Sequence, residues 1–432
     1  MRSLERFHGR YTRRDWTFTQ LFLKKSCTSR FWPGHRYRGT ALTSLFAATV
    51  LLSLAGCRSH EFPEYPANYR EYAYITNGGS NTVTALDVVN LRQDRVIPVG
   101  VDPTGVAVNT KRNEVYVVNT GSNSVSVIDA EKNVVVATIP VHLRPYFISV
   151  STDGTRAYVA NSGSNNVSVI DLHSRRQIAV VGVGEAPGVA AVSPDGKTVV
   201  VSNRVGNSVS IIDAKTDKVR SVWRGCPGAT DIAILPDSSK AFVACSSGHQ
   251  VMAIALTTPP PASPHAHRLT TQPMPEDALL ALLDVGKTPI HLVLKPDGGE
   301  IFAINFNGAS FSEIDTSTNE VGGAYLVGTH PVTGLATADN STMYISDFDA
   351  DSLGVYSIDD GELLPVQPRT GDGPDAMAFS RAGNLLFVVD SRSGDVAVIR
   401  TSTNSLLTMF PVGRKPNDIA VKAFLVPHHH AL

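Results

Sequence analysis

A unit of about 42 residues repeats along this chain, and a fixed period of that size, filled with short strands, restricts the fold to a closed or stacked array of like units. The second copy shows its form. Tyr116-Val117-Val118-Asn119 is followed by a Gly121-Ser122-Asn123-Ser124 turn and then by Val125-Ser126-Val127-Ile128-Asp129. The slot held by Asn119 recurs as Asn77, Asn119, Asn161, Asn203, Cys245, Asn305, Asp347 and Asp390, at steps of 42, 42, 42, 42, 60, 42 and 43 residues. Eight copies result, and the fifth carries an insertion.

Each copy reads as four strands. An inner strand follows a proline, as in Pro187-Gly188-Val189-Ala190-Ala191-Val192. Ser193-Pro194-Asp195-Gly196 makes a tight turn, because proline presets φ and glycine accepts positive φ. Val199-Val200-Val201, Val209-Ser210-Ile211-Ile212 and Val219-Arg220-Ser221-Val222 supply the second, third and outer strands. Their alternation of apolar and small polar residues reads as half-buried strands. The chain enters at Tyr74-Ile75-Thr76-Asn77, a second strand lacking a first, and leaves at Lys415-Pro416-Asn417-Asp418-Ile419-Ala420-Val421, a first strand lacking a successor. The expected fold is all-β, an eight-bladed β-propeller of four-stranded antiparallel blades, closed by pairing of the N- and C-terminal strands. Closure removes exposed inner edges.

Tyr158-Val159-Ala160-Asn161 with Asn165-Asn166-Val167-Ser168-Val169-Ile170-Asp171 resembles the YVTN-repeat β-propellers of bacterial secreted proteins and archaeal surface layers. The resemblance covers residues 72–422 and implies a propeller, but its family is functionally mixed. Members are often seven-bladed, and eight copies depart from that.

Charge is divided unevenly. Residues 1–56 hold ten Lys/Arg and two Asp/Glu, so the remainder, with 28 basic and 37 acidic side chains, nets −9. Such a domain has no electrostatic footprint for nucleic acid. Ala41–Leu54 is an apolar stretch behind Arg30, Arg36 and Arg38, too short to span a bilayer and formed like a signal-peptide core. It ends in Leu54-Ala55-Gly56-Cys57, which resembles a bacterial lipobox; this implies lipidation of Cys57, and Arg58 implies outer-membrane sorting in a Gram-negative cell. The residues before the apolar core are long for a leader and read as an over-extended start. The expected organisation is leader 1–56, tether 57–71, propeller 72–425 with a Pro/His-rich insertion at 257–276, and tail 426–432. His265 and His267 lie in the insertion and His428-His429-His430 in the tail.

Candidate site residues are those that break the repeat. The recurring Asn itself reads as a loop cap, since Asn tolerates left-handed backbone and bonds neighbouring peptides. Inner strands begin, and the loops between second and third strands lie, on one face, here called the upper face. Arg144, Tyr146, Asp231, His249, His291, His330, Asp375, Lys415 and Asp418 belong there. Mixed His, Asp and basic residues around a channel mouth suit a polar or anionic ligand. Asp347-Phe348-Asp349-Ala350-Asp351 places three alternating carboxylates in an enlarged loop, a candidate Ca²⁺ site, although it lacks the glycine and terminal glutamate of an EF-hand. Cys226 and Cys245 come to the same end of blade five, either as a disulfide or as two buried thiols.

Gly-x-Ser-x-Gly, His-Glu-x-x-His, phosphate-loop and Cys-x-x-Cys-His motifs are absent. The leading expectation is a lipid-anchored exported propeller, held at the periplasmic face of the outer membrane or the cell surface. It would act as a binding or scaffolding module with an envelope protein or glycan partner. Two alternatives stand beside it. One is a lactonase- or lyase-type enzyme, which requires His291, Asp231 and Asp418 to converge. The other is a redox propeller holding haem d1 or a quinone, with His291 and His330 as ligands.

Overall fold

Eight four-stranded antiparallel sheets form the blades of a closed wheel in the computed structural model, which describes residues 63–256 and 277–426. The leader, Cys57, the 257–276 insertion and the histidines of the tail lie outside the described residues. Blade 1 is composite. Its inner strand is Pro416–Leu425, and Tyr69–Asn77, Thr82–Asp87 and Arg92–Pro98 follow outward. Tyr69 pairs with Leu425 and Asn77 with Pro416, so the two ends of the propeller close the ring. Blades 2 to 8 then follow in chain order, with inner strands starting at Pro103, Pro145, Pro187, Ala229, Pro289, Pro331 and Pro374. The outer strand of blade 7 is reduced to Glu362–Leu363, and Leu353 N–H instead donates to the carbonyl of Pro368. Proline there denies a second chain the donors it would need to pair with that edge.

The middle two strands of each blade are buried on both faces, not half-buried as the alternation suggested. Thr198–Asn203 is buried at every residue, and in Ser208–Asp213 only the final aspartate is partly exposed. Neighbouring blades cover each face, as in the cluster that joins Tyr158, Val167 and Val169 of blade 3 to Val199, Val201 and Ile212 of blade 4. The outer strands are the exposed ones, and they leave Val96, Ile178 and Val222 in solvent.

The polar residues of the repeat are therefore internal fittings. Asn119 Nδ2 donates to Ser124 Oγ at 3.1 Å and to Ser126 Oγ at 3.0 Å, and its Oδ1 accepts from Gly100 N–H. Asn203 makes the same pair to Ser208 and Ser210, and Asn305 to Ser310 and Ser312. The slot Asn is the last residue of an extended strand and is not left-handed. That conformation belongs to the residue four positions later, Asn81, Asn123, Asn165 or Asn207. Those second asparagines cap: Asn123 Oδ1 accepts from Arg144 N–H and Asn165 Oδ1 from Ala186 N–H, each in the next inter-blade loop.

Three blades replace the slot asparagine, with Cys245 in blade 5, Asp347 in blade 7 and Asp390 in blade 8. In blade 5, Cys226 and Cys245 stand 42 residues after Gly184 and Asn203, and they form a disulfide where other blades pack glycine on asparagine. In blade 8 the slot is Asp390, with Asp395 in the serine position and Ala397 beyond it. Asp390 is fully buried, and Asp395 is its cross-strand partner. Burial, then the adjacent Asp395 carboxyl, raises its pKa. A folded pKa above the unfolded one gives stability that is full at low pH and lost as pH rises through the folded value. Asp390→Asn with Asp395→Ser restores the common bond. Urea denaturation is expected to show the double variant gaining stability at pH 8 and little at pH 4; equal gains at both would reject the raised pKa of Asp390.

Candidate functional site

The upper mouth of the bore is built by the first residues of the eight inner strands. Asp231, His291 and Asp418 occupy the third position of theirs and Asp375 the second. The third-position side chains do a common job. Asp231 Oδ2 accepts Leu292 N–H from the next blade at 2.9 Å, and Asp418 Oδ2 accepts Val106 N–H at 2.9 Å. His291 Nδ1 faces Gly334 N–H at 3.4 Å. Inner strands present an unpaired edge to the bore, and these side chains satisfy part of it. Each polar group is thereby fixed in place before any ligand arrives.

Asp231 and His291 form one pair, with Nε2 3.7 Å from Oδ2. With Nδ1 accepting, the imidazole proton lies on Nε2 and points toward Asp231, beyond hydrogen-bond reach. Asp418 does not join them. It lies on blade 1, four blades round the ring from blade 5, beside Asp375 of blade 8. The expected convergence of His291, Asp231 and Asp418 is not formed, because the register of the repeat spaces them around the circumference. Burial pushes both Asp418 and Asp375 up to about 6. Hydrogen bonds from Val106 and Ile419 N–H oppose the rise at Asp418, and the Asp375 charge adds to it. A bond with the Ser391 hydroxyl opposes it at Asp375.

The other candidates stand on the rim. Arg144, His330 and Lys415 each hold the positive-φ position just before a proline. His249 is a left-handed cap like the second asparagines, its Nδ1 accepting Thr288 N–H. Tyr146 is exposed, with the guanidinium of Arg204 5.6 Å from its ring centroid. His330 stacks on Phe306 and bonds Asp349, which also receives Arg392 Nη2 at 2.8 Å while that guanidinium covers Phe348. Arg204 and Arg392 lie one and two residues past the slots Asn203 and Asp390, so they too break the repeat.

The carboxylates of blade 7 do not gather around a cation. Asp347 Oδ1 accepts Thr329 N–H, Asp349 bonds His330 and pairs with Arg392, and Asp351 Oδ1 faces Gly373 N–H. Each acts within its own loop contact, so the Ca²⁺ reading of Asp347, Asp349 and Asp351 is withdrawn. Among the described residues no group of three or more His, Cys, Asp or Glu side chains is placed to hold a metal ion.

A family profile described as YNCE-like beta-propeller matches residues 63–194, and one described as Lactonase, 7-bladed beta-propeller matches residues 300–411. The second stretch contains Asp375 but neither Asp231 nor His291. A search of curated protein sequences finds no match. Among solved structures, hydrazine synthase of Kuenenia stuttgartiensis is 21% identical, with a TM-score of 0.51 over 66% of this chain and 91% of that one. Dihydro-heme d1 dehydrogenase NirN, solved with DHE, is 17% identical, with a TM-score of 0.65 over 83% of this chain and 76% of that one. AztD of Citrobacter koseri is 13% identical, with a TM-score of 0.62 over 84% of this chain and all of that one (100%). At these identities the likeness is one of fold. The chain is an eight-bladed β-propeller, all-β among its described residues.

Proposed function

We propose that this propeller binds an organic cation at the upper mouth of its bore. One observation carries the reading. The upper ends of the eight inner strands bear three carboxyls, Asp231, Asp375 and Asp418, and no Lys or Arg. In an eight-blade ring the Asp231 and Asp375/Asp418 positions face each other across the opening. Fixed negative charge on both walls of a narrow, low-dielectric opening suits a ligand with separated positive groups. The dispersed donors favour an amine over a bare metal ion, which needs ligands drawn together. Thermal-shift measurement with spermidine is expected to stabilise the protein, whereas citrate is not. Asp375→Asn with Asp418→Asn is expected to weaken spermidine binding about tenfold, roughly 1.4 kcal/mol. Equal stabilisation of the variant would remove the site.

The chain is read as exported and held at the cell envelope through a lipid on Cys57, a YVTN-type lipoprotein. An envelope protein or amino-bearing glycan would then present the cationic groups. Cys57→Ser is expected to shift the protein from the detergent phase to the aqueous phase in a detergent partition experiment; an unchanged partition would remove the anchor.

A hydrolytic reading keeps one support, the Asp231–His291 pair, whose 3.7 Å gap a bound substrate would have to close. The redox reading fits the residues poorly. Haem d1 and the pyrroloquinoline cofactor both carry several carboxylates, and the upper bore offers them three more.

A further inference from the structure

We infer that the lower end of the bore is a second binding site, for an amphiphilic carboxylate. The inner strands of blades 8, 1 and 2 end there around a cavity of about 570 Å³. Phe379 and Phe424 contribute apolar wall, Thr110 and Ser380 hydroxyls, and Arg381 and Lys422 positive charge; among the described residues no carboxylate lines it. That composition is the reverse of the upper mouth. The volume lies within the range of small-molecule sites, and apolar walls with a few placed polar groups are their usual make-up.

Lys422 is the observation that asks for an anion. Its side chain reaches into the wall between blades 1 and 2 and is almost fully buried, at 5% exposure. Its ammonium donates to the carbonyl of Asn109, the residue between the cavity-lining Val108 and Thr110. Among the described residues no carboxylate pairs with it, and burial depresses its pKa. Buried charges are normally paired, so a lysine held on one neutral carbonyl lacks its counter-charge. Glu71, a buried carboxylate on the same blade, is engaged elsewhere: its oxygens accept the Tyr69 hydroxyl and Arg381 N–H. That second bond fixes the backbone of Arg381 at the cavity edge, while its side chain stays exposed.

The repeat marks the same place as exceptional. Six residues after the opening proline, other blades carry Asn109, Ser151, Ser193, Thr337 or Ser380 to start the lower turn. Blade 6 carries Lys295 there, but its ammonium is paired with Glu300 and Asp297. Only blade 1 has no turn at that point, because its inner strand runs on to Leu425 and makes one wall of the cavity.

Decanoate is the probe, with decanol and decyltrimethylammonium as matched controls, titrated calorimetrically into the intact mature protein. Decanoate is expected to bind at least tenfold more tightly than either control, as expected for a charge-assisted contact. Lys422→Met and, separately, Arg381→Gln are each expected to weaken decanoate about tenfold or more. Arg381 is exposed, so its variant keeps the test valid if Lys422→Met fails to fold. Asp375→Asn with Asp418→Asn should leave decanoate binding unchanged, which separates this site from the upper mouth. Absence of decanoate binding, or equal binding by the wild type and Arg381→Gln, would overturn the assignment.

Discussion

Replacing Asp277 with alanine is expected to cost about 3–5 kcal/mol of folding stability, the range for removing one partner of a buried ion pair. Arg220 of blade 4 grips Asp277 with two bonds, Nε to Oδ2 at 2.8 Å and Nη2 to Oδ1 at 2.7 Å. The side chains are 20% and 8% exposed, so solvent screens the pair little. Ser221 Oγ donates to the same carboxylate, Trp223 Nε1 to the Asp277 carbonyl, and Arg220 Nη2 to the carbonyl of Leu256. One arginine thus holds together the two chain ends that flank 257–276. Asp277 also has a φ of 61°, which asparagine tolerates and alanine resists. Asp277→Asn is therefore expected to lose less than Asp277→Ala. Urea denaturation decides this: a loss under 1 kcal/mol for the alanine variant would mean that the outer strand of blade 5 does not depend on the clamp.

Removal of the Cys226–Cys245 bridge as a double alanine variant is expected to cost on the order of 3 kcal/mol, the loop-closure value for a separation of 19 residues. A second variant tests why the bridge is there. Cys226→Gly with Cys245→Asn installs the pair that blade 4 uses as Gly184 and Asn203. Its asparagine would find Gln250 and Met252 where other blades have hydroxyls, so recovery should be partial. If the Gly/Asn variant is no more stable than the double alanine variant, the bridge is not a substitute for the common latch.

The 42-residue period made the blade count, the strand order and the closing pair legible, because each depends on local pattern alone. Roles within the unit were harder to read. Val-Ser-Val-Ile-Asp looks like a strand with one wet face, yet Ser126 and Ser210 are buried acceptors for the slot asparagine. Nothing in a single copy tells a serine facing solvent from one facing its own blade. The left-handed residue was placed four positions early for a similar reason, since both asparagines of the motif suit a turn. Repeat breaks fall at the upper ends of the inner strands, where Asp231, His291, Asp375 and Asp418 stand on separate blades. Asp390 with Asp395, and Lys422, break the repeat in the same way. Arg220 and Asp277, 57 positions apart on different blades, left no trace that a repeat could display.

The central claim is that fixed carboxyls at the upper mouth select a positive ligand. Spermidine titrated calorimetrically at pH 7.5 and at pH 5 tests it most directly. Asp375 and Asp418, raised to about 6, are ionised at the higher pH and largely protonated at the lower. Binding should be strong at pH 7.5, weaken at pH 5 with proton release as ligand enters, and lose that pH dependence when both residues are asparagine. Affinity that is the same at both pH values, or that survives in the doubly substituted protein, would contradict the account.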